Sequence, residues 1–390
     1  MNQIAVPLAV SQTIIWASIY YLFPALILVW EGDLGWSRTA LSGAYSMALL
    51  ASAICATRMG RLIDEGHGRR VMITGTVSGI ICLVALSQVS AIWQFYVVWI
   101  ALGVSMSASL YEPCFALITH HMGRDAKRVI LRITLIAGFA GTVSFPSANF
   151  LADQIGWRMA VIVFAVVVAI TSLPLTLMAT RNLVKLHPRP MDRAAPDQTL
   201  TGQQRRTLLL FSLAFITLAF NHNMVISHLL PLLAERSVSQ ALAVLVASLI
   251  GPMQVLGRLL MLASERRVST YSATITCFVG LTVGAAALAM AGASIPMIFA
   301  FTFLHGASWG TMSNLRPAMT RDITDGAGFG AISGKIFAIS LLGSALAPFA
   351  GALFWKMGGY DLMLGVAVVL AILGTLLLLT MNAPEASRRI

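Results

Sequence analysis

Runs of about 20 apolar residues, each long enough to cross a bilayer as a helix, recur from one end of this 390-residue chain to the other. Hydrocarbon offers a backbone no water to bond to, so every such run must satisfy its own N–H and C=O groups, and helices are expected throughout. Composition excludes the alternative. The chain is 58% hydrophobic and 11% charged, against about 25% charged in a soluble domain, so a water-soluble fold would lack the polar surface to cover its core. The runs predict helices at about 7–29, 37–57, 71–89, 92–118, 129–151 and 158–180, then at about 207–233, 240–263, 270–292, 295–319, 329–354 and 360–381, boundaries being uncertain by about 2–4 residues. The expectation is an all-α membrane protein with twelve transmembrane helices in two pseudo-symmetric six-helix bundles, residues 1–180 and 207–390. The polar linker 181–206 between them holds three of the fourteen prolines and six Lys or Arg, the composition of a flexible tether.

The net charge is +11, from 26 Lys and Arg against 15 Asp and Glu. These cations gather in the short loops and tails of one side. That asymmetry marks topology rather than a nucleic-acid surface, and it places both termini and the linker in the cytoplasm of an inner-membrane protein. Cys55, Cys82, Cys114 and Cys277 all fall within apolar runs, without metal-ligand spacing, and read as small packing residues rather than disulfide partners. The first run has no basic leader and no small-residue cleavage site, so it reads as a mature helix.

Between the second and third runs stands Gly-Arg-Leu-Ile-Asp-Glu-Gly-His-Gly-Arg-Arg, residues Gly60 to Arg70. It is too short for a domain and too polar for hydrocarbon, so two helices must meet there in a tight hairpin. Gly60, Asp64, Gly68, Arg69 and Arg70 resemble the signature loop between helices 2 and 3 of the major facilitator superfamily of transporters. In that family two residues separate the aspartate from the second glycine; here there are three. Internal repetition supports the resemblance over the whole chain. Pro146 and Gly156 recur as Pro348 and Gly358, and Glu112-Pro113 recurs, with opposite charge, as Arg316-Pro317. Two six-helix repeats with a site at their interface are the usual plan of a secondary transporter.

Ionisable groups inside spans cost about 2.5–3.5 kcal/mol and are functional candidates by default. Glu112, Arg132, Arg258, Arg316 and Lys335 qualify, at depths of ~6–12 Å by helical rise. Four cations against one anion call for a negative ligand. Arg258, in Gly-Pro-Met-Gln-Val-Leu-Gly-Arg of the eighth span, resembles the carboxylate-binding arginine of the monocarboxylate and oxalate–formate transporters, and Lys335 resembles the second cation of the oxalate-type members. The first-helix lysine of animal monocarboxylate carriers is absent. A structural alternative stands beside this reading: Arg258 pairs with a carboxylate or helix end, and Lys335 snorkels to the interface.

Glu112 and Arg316 read as gating or proton-coupling residues: an ion pair that closes one access state and opens when Glu112 is protonated, with Arg132 as the alternative partner of Glu112. The resemblance implies that the first, fourth, seventh and tenth helices line the solute path. Polar or aromatic stripes occur on each: Gln12, Trp16 and Tyr20; Ser105, Ser109 and Glu112; Thr217, Asn221, Met224 and His228; His305, Trp309, Met312 and Arg316. Such stripes also serve as helix-packing glue. His222, His228 and His305 are groups able to titrate near neutral pH.

No His-Glu-x-x-His, Gly-x-Ser-x-Gly or P-loop occurs, so neither an enzyme nor direct ATP drive is expected, and no cofactor or metal. The expected function is secondary active transport of a small organic anion, a carboxylate by preference, across the inner membrane by alternating access. Protons are the candidate coupling ion, the lipid bilayer is the surroundings, and the protein is monomeric. The alternatives are a proton-driven exporter of drugs or metabolites and a non-transporting receptor or scaffold.

Overall fold

The computed structural model describes residues 2–186, 200–264, 267–324 and 329–381, and all regular structure among them is helical. Eight runs of helix are long and apolar enough to cross a membrane. Three of these, of 50, 59 and 41 residues, exceed one crossing and contain a sharp break. A further helix, Ile295–Thr324, is too polar along its length to count among the eight. Divided at the breaks, the spans are α1 (2–34), α2 (Arg38–Leu62), α3 (Gly68–Ser87), α4 (92–122), α5 (126–155) and α6 (157–184), followed by α7 (Gly202–Glu235), α8 (Gln240–Ser264), α9 (Thr270–Met290), α10 (Ile295–Thr324), α11 (329–357) and α12 (360–379).

The breaks have local causes. Gly35 (φ 66°) ends α1 in the left-handed conformation, and Ser37 caps α2 by accepting from the Ala40 N–H at 3.3 Å. In the charged hairpin the reversing residue is Gly66, at φ 87°. Gly68 is helical instead and serves close packing, because a Cβ there would lie 2.5 Å from Leu117 of α4. Gly60 is also helical, with open space where a Cβ would stand. Asp64, Arg69 and Arg70 are exposed. Gly156 (φ 78°) separates α5 from α6. Between α11 and α12 the left-handed residue is Gly359 (φ 68°), one position beyond the Gly358 that the repeat singles out.

Both helical ends run into the expected linker. α6 continues to Val184, and α7 starts at Gly202 because Thr201 and Gln204 form a capping box: Thr201 Oγ1 accepts from the Gln204 N–H at 3.2 Å, and Gln204 Oε1 accepts from the Thr201 N–H at 3.0 Å. Residues 187–199 lie outside those described.

The chain divides into two compact units, Met1–Met191 and Asp192–Ile390. In the first, α2 packs on α4, and α1 on α5 and α6; in the second, α8 packs on α10, and α7 on α11 and α12. Small residues let the backbones approach. A Cβ on Gly103 of α4 would collide with the backbone of Ala48 in α2, and one on Gly257 of α8 with the backbone of Ala307 in α10. Each unit also ties its ends through a tryptophan and an acid. Trp157 Nε1 donates to Asp33 at 2.6 Å, with Arg158 reaching both Asp33 (3.3 Å) and the Val89 carbonyl (3.0 Å). Trp355 Nε1 donates to Glu235 at 2.8 Å, while Arg236 reaches the Leu288 carbonyl (2.6 Å) and Asp361 (3.1 Å). The four described cysteines are free.

Candidate functional site

In the first unit, α1 is not a uniform helix. Residues Trp16–Tyr20 form a π turn, a feature frequent at functional sites. Pro24 contributes to the irregularity: it has no N–H for the carbonyl of Tyr20, four residues back, and Tyr45 Oη donates to that oxygen instead, at 3.3 Å. The fourth span repeats the device. Pro113 leaves the Ser109 carbonyl without its helical donor, the chain goes extended at Leu110 (φ −81°, ψ −157°), and Gln12 Nε2 donates to Ser109 O at 2.8 Å.

These two irregularities hold an aromatic cluster. The Trp16 ring lies 4.8 Å from Tyr20, 6.4 Å from Tyr21 and 4.7 Å from Tyr111, and Tyr111 stacks on Phe115 at 5.0 Å. These five rings are half-buried. Glu112 is half-buried on the same turn of α4 as Tyr111, within electrostatic reach of the Tyr20 hydroxyl. Arg132 stands exposed on α5.

In the second unit, α7 and α10 bring three predicted residues together. His222 Nδ1 and His305 Nε2 are 2.9 Å apart in one hydrogen bond. Trp309 stacks on His222 at 3.7 Å and 7°. One turn further along α10, Gly310 sits against the α8 backbone at Gln254, and Arg258 Nε donates to the Gly310 carbonyl at 2.8 Å. Arg258 is 4% exposed. Arg316 is half-buried. Lys335 belongs to α11, and its side chain lies outside the described residues.

Other predicted contact residues have their polar groups engaged by backbone. Asn221 Nδ2 donates to Ala367 O at 2.6 Å, and His228 Nε2 pairs with Pro348 O at 2.8 Å. Ser105 Oγ donates to Gly75 O, Ser109 Oγ to Ser105 O and Thr217 Oγ1 to Ala214 O. The Asn221, His228 and Ser105 bonds join neighbouring helices, while those of Ser109 and Thr217 close on their own helix. Sequence reasoning missed Tyr21, Tyr45 and Tyr111. The signal for Tyr111 was present, since a tyrosine directly before Glu-Pro must sit at a proline-broken turn. Tyr45 carries no such mark.

The family model of the Major Facilitator Superfamily matches residues 8–285, from α1 into α9. The chain belongs to the major facilitator superfamily. The assignment makes it a multi-pass membrane protein of a transporter family. Among curated proteins, an "MFS-type transporter" of Gibberella moniliformis is 24% identical over 352 residues, covering 87% of this chain and 83% of that protein.

Proposed function

We propose that this superfamily member is a secondary active transporter of a small organic anion, a carboxylate by preference, working by alternating access in an inner membrane with both termini cytoplasmic. One observation carries the reading: a guanidinium, Arg258, is 4% exposed within the second unit. A cation at such depth is costly and marks a solute or ion path by default. Its Nε is engaged by Gly310 O, which fixes the guanidinium plane and suits end-on, two-pronged recognition of a carboxylate. Lys335, His305 and Trp309 are the accompanying groups on α11 and α10. The branch resemblance at Arg258 and Lys335 supports the same chemistry.

Thermal stabilisation of the purified protein by a panel of mono- and dicarboxylates tests this, since a ligand of the native state stabilises by mass action. Stabilisation by a carboxylate, lost in Arg258→Gln and partly kept in Arg258→Lys, is the expected result. Unchanged carboxylate binding in a folded Arg258→Gln protein would overturn it.

A second reading has its own support. The Trp16, Tyr20, Tyr21 and Tyr111 rings beside Glu112 form a surface that suits aromatic or cationic solutes, as a proton-driven exporter requires. Stabilisation by organic cations instead of carboxylates, abolished by Glu112→Gln, would favour it.

A further inference from the structure

We propose that His222 and His305 are the proton-exchange site of the transport cycle: a pair of imidazoles that together hold one extra proton. The proposal rests on the reading of the protein as a transporter but not on the charge of its solute.

The geometry points there in four ways. His222 Nδ1 and His305 Nε2 stand 2.9 Å apart, so one N–H lies between them, and either ring can be its donor. In the neutral pair, His305 Nδ1 has no partner among the described residues, although the residue is 0% exposed. As an acceptor, that nitrogen is an unused proton site. As a donor, it is an unsatisfied N–H. Each form is unfavourable in a buried place.

Third, the pair is asymmetric. His222 keeps 3% of its surface accessible and His305 none, so a proton arrives through His222. The step balances as a simple relay. In the tautomer with His222 Nδ1 as donor and a proton already on His305 Nδ1, hydronium gives its proton to His222 Nε2 and becomes water, and His222 passes its Nδ1 proton to His305 Nε2, which leaves His222 neutral and His305 as the imidazolium. The reverse sequence returns the proton to a water molecule, and no other reactant is needed.

Fourth, two contacts offset part of the cost of a charge there. Burial disfavours an imidazolium. Against this, an imidazolium–imidazole hydrogen bond is charge-assisted and stronger than the neutral one. The Trp309 face lies on His222 at 3.7 Å and 7°, the placement in which an indole stabilises a cation. The Phe301 ring is 4.9 Å from His305.

The remaining charged groups of the surrounding elements set the coupling. α8 contributes Arg258, α10 contributes Arg316, Arg321 and Asp322, and α7 itself ends in Glu235. α11 and α12 contribute Lys356 and Asp361. Arg258 is the closest of these along the helix, because its anchor Gly310 is five residues, ~7.5 Å of rise, from His305 on α10. A proton on the pair therefore adds to the positive field at Arg258. An anion bound there and a proton on the pair stabilise each other, and proton binding at α7–α10 is linked to solute binding at α8–α10.

The test uses tryptophan emission of the full-length purified protein, since a protonated imidazole stacked on an indole quenches it. The wild type should show a reversible, single-proton quench on acidification, missing in Trp309→Phe. His222→Gln should abolish that component. His305→Gln keeps a hydrogen-bonding partner but removes the second proton site, and should move the quench by about one pH unit or more to lower pH. The nitrogen NMR signals of 15N-histidine-labelled wild type, assigned with the same variants, give a direct second measurement. They should report one proton gained per pair between about pH 5 and 9. Two imidazoles that stay neutral over that range, or a quench identical in wild type and both histidine variants, would overturn the proposal. A merely structural pair would lower thermal stability in the variants and leave no pH-dependent difference. The titration needs no solute, so its failure is distinct from failure of the carboxylate reading.

Discussion

Gln12 donates its side-chain amide to the carbonyl of Ser109, the acceptor that Pro113 leaves without a helical partner. The contact joins α1 to the break in α4. Removing it leaves a buried carbonyl unsatisfied, at about 1–3 kcal/mol. Gln12→Ala should therefore destabilise the protein by that amount in chemical or thermal unfolding. Pro113→Ala restores the missing N–H, so in that background Gln12→Ala should cost clearly less. Equal costs in the two backgrounds would show that the bond does not depend on the proline.

The glycine seams are stiffer than the signature glycine. Gly103→Ala and Gly257→Ala each drive a methyl into a neighbouring backbone, and overpacking of that kind costs about 1–3 kcal/mol or more. Gly60 is helical with nothing near its missing Cβ. Gly60→Ala should stay within about 0.5 kcal/mol of wild type. Melting temperatures of the three variants in one detergent decide the order.

Gly66 should tolerate asparagine better than alanine. Its φ of 87° places an L side chain in the left-handed region, at about 1–2 kcal/mol for an ordinary residue, with Asn among the few that visit it readily. Thermal unfolding of Gly66→Ala and Gly66→Asn checks the sign. Equal stability of the two would mean that the α2–α3 turn adopts another conformation in the membrane.

The tryptophan–acid ties should contribute modestly and alike in the two units. The Asp33 side chain is half-exposed, so the solvent takes much of what Trp157→Phe removes. A loss of about 0.5–1 kcal/mol is expected there and a similar one for Trp355→Phe, whose partner is Glu235. Asp33→Asn keeps an acceptor for the indole and should cost less than Asp33→Ala, by unfolding measurements on each.

The spans were legible in the sequence because hydropathy is a one-dimensional signal: an apolar run of bilayer length has few other places to go. Arg258 was legible for the same reason, as a charge where none should be. Its contact with Gly310 O was not, because it depends on how closely α8 and α10 approach. The polar stripes on α1 and α7 drew attention to Gln12, Asn221 and His228, and all three are buried. What those groups bond to is decided by which backbone carbonyls the prolines and neighbouring helices leave open, and that is a property of the packed bundle. The same holds at the hairpin, where spacing drew attention to Gly68 while the positive φ fell on Gly66. His222 and His305 are separated by 83 positions in sequence, and nothing local tells that their ring nitrogens meet.

The π turn at Trp16–Tyr20 makes the length of the first helix a fixed quantity. Deleting one residue there would turn everything beyond it by about 100° relative to what precedes it. Gln12 would still reach Ser109, while Leu22, Phe23, Leu26, Ile27 and Trp30, all now buried, would swing away from their neighbours. Substitutions along α1 change one contact each; a change in the count of residues between Gln12 and Leu22 changes the phase of the whole second half. Homologous chains are accordingly expected to vary in letters across this turn and to keep its number.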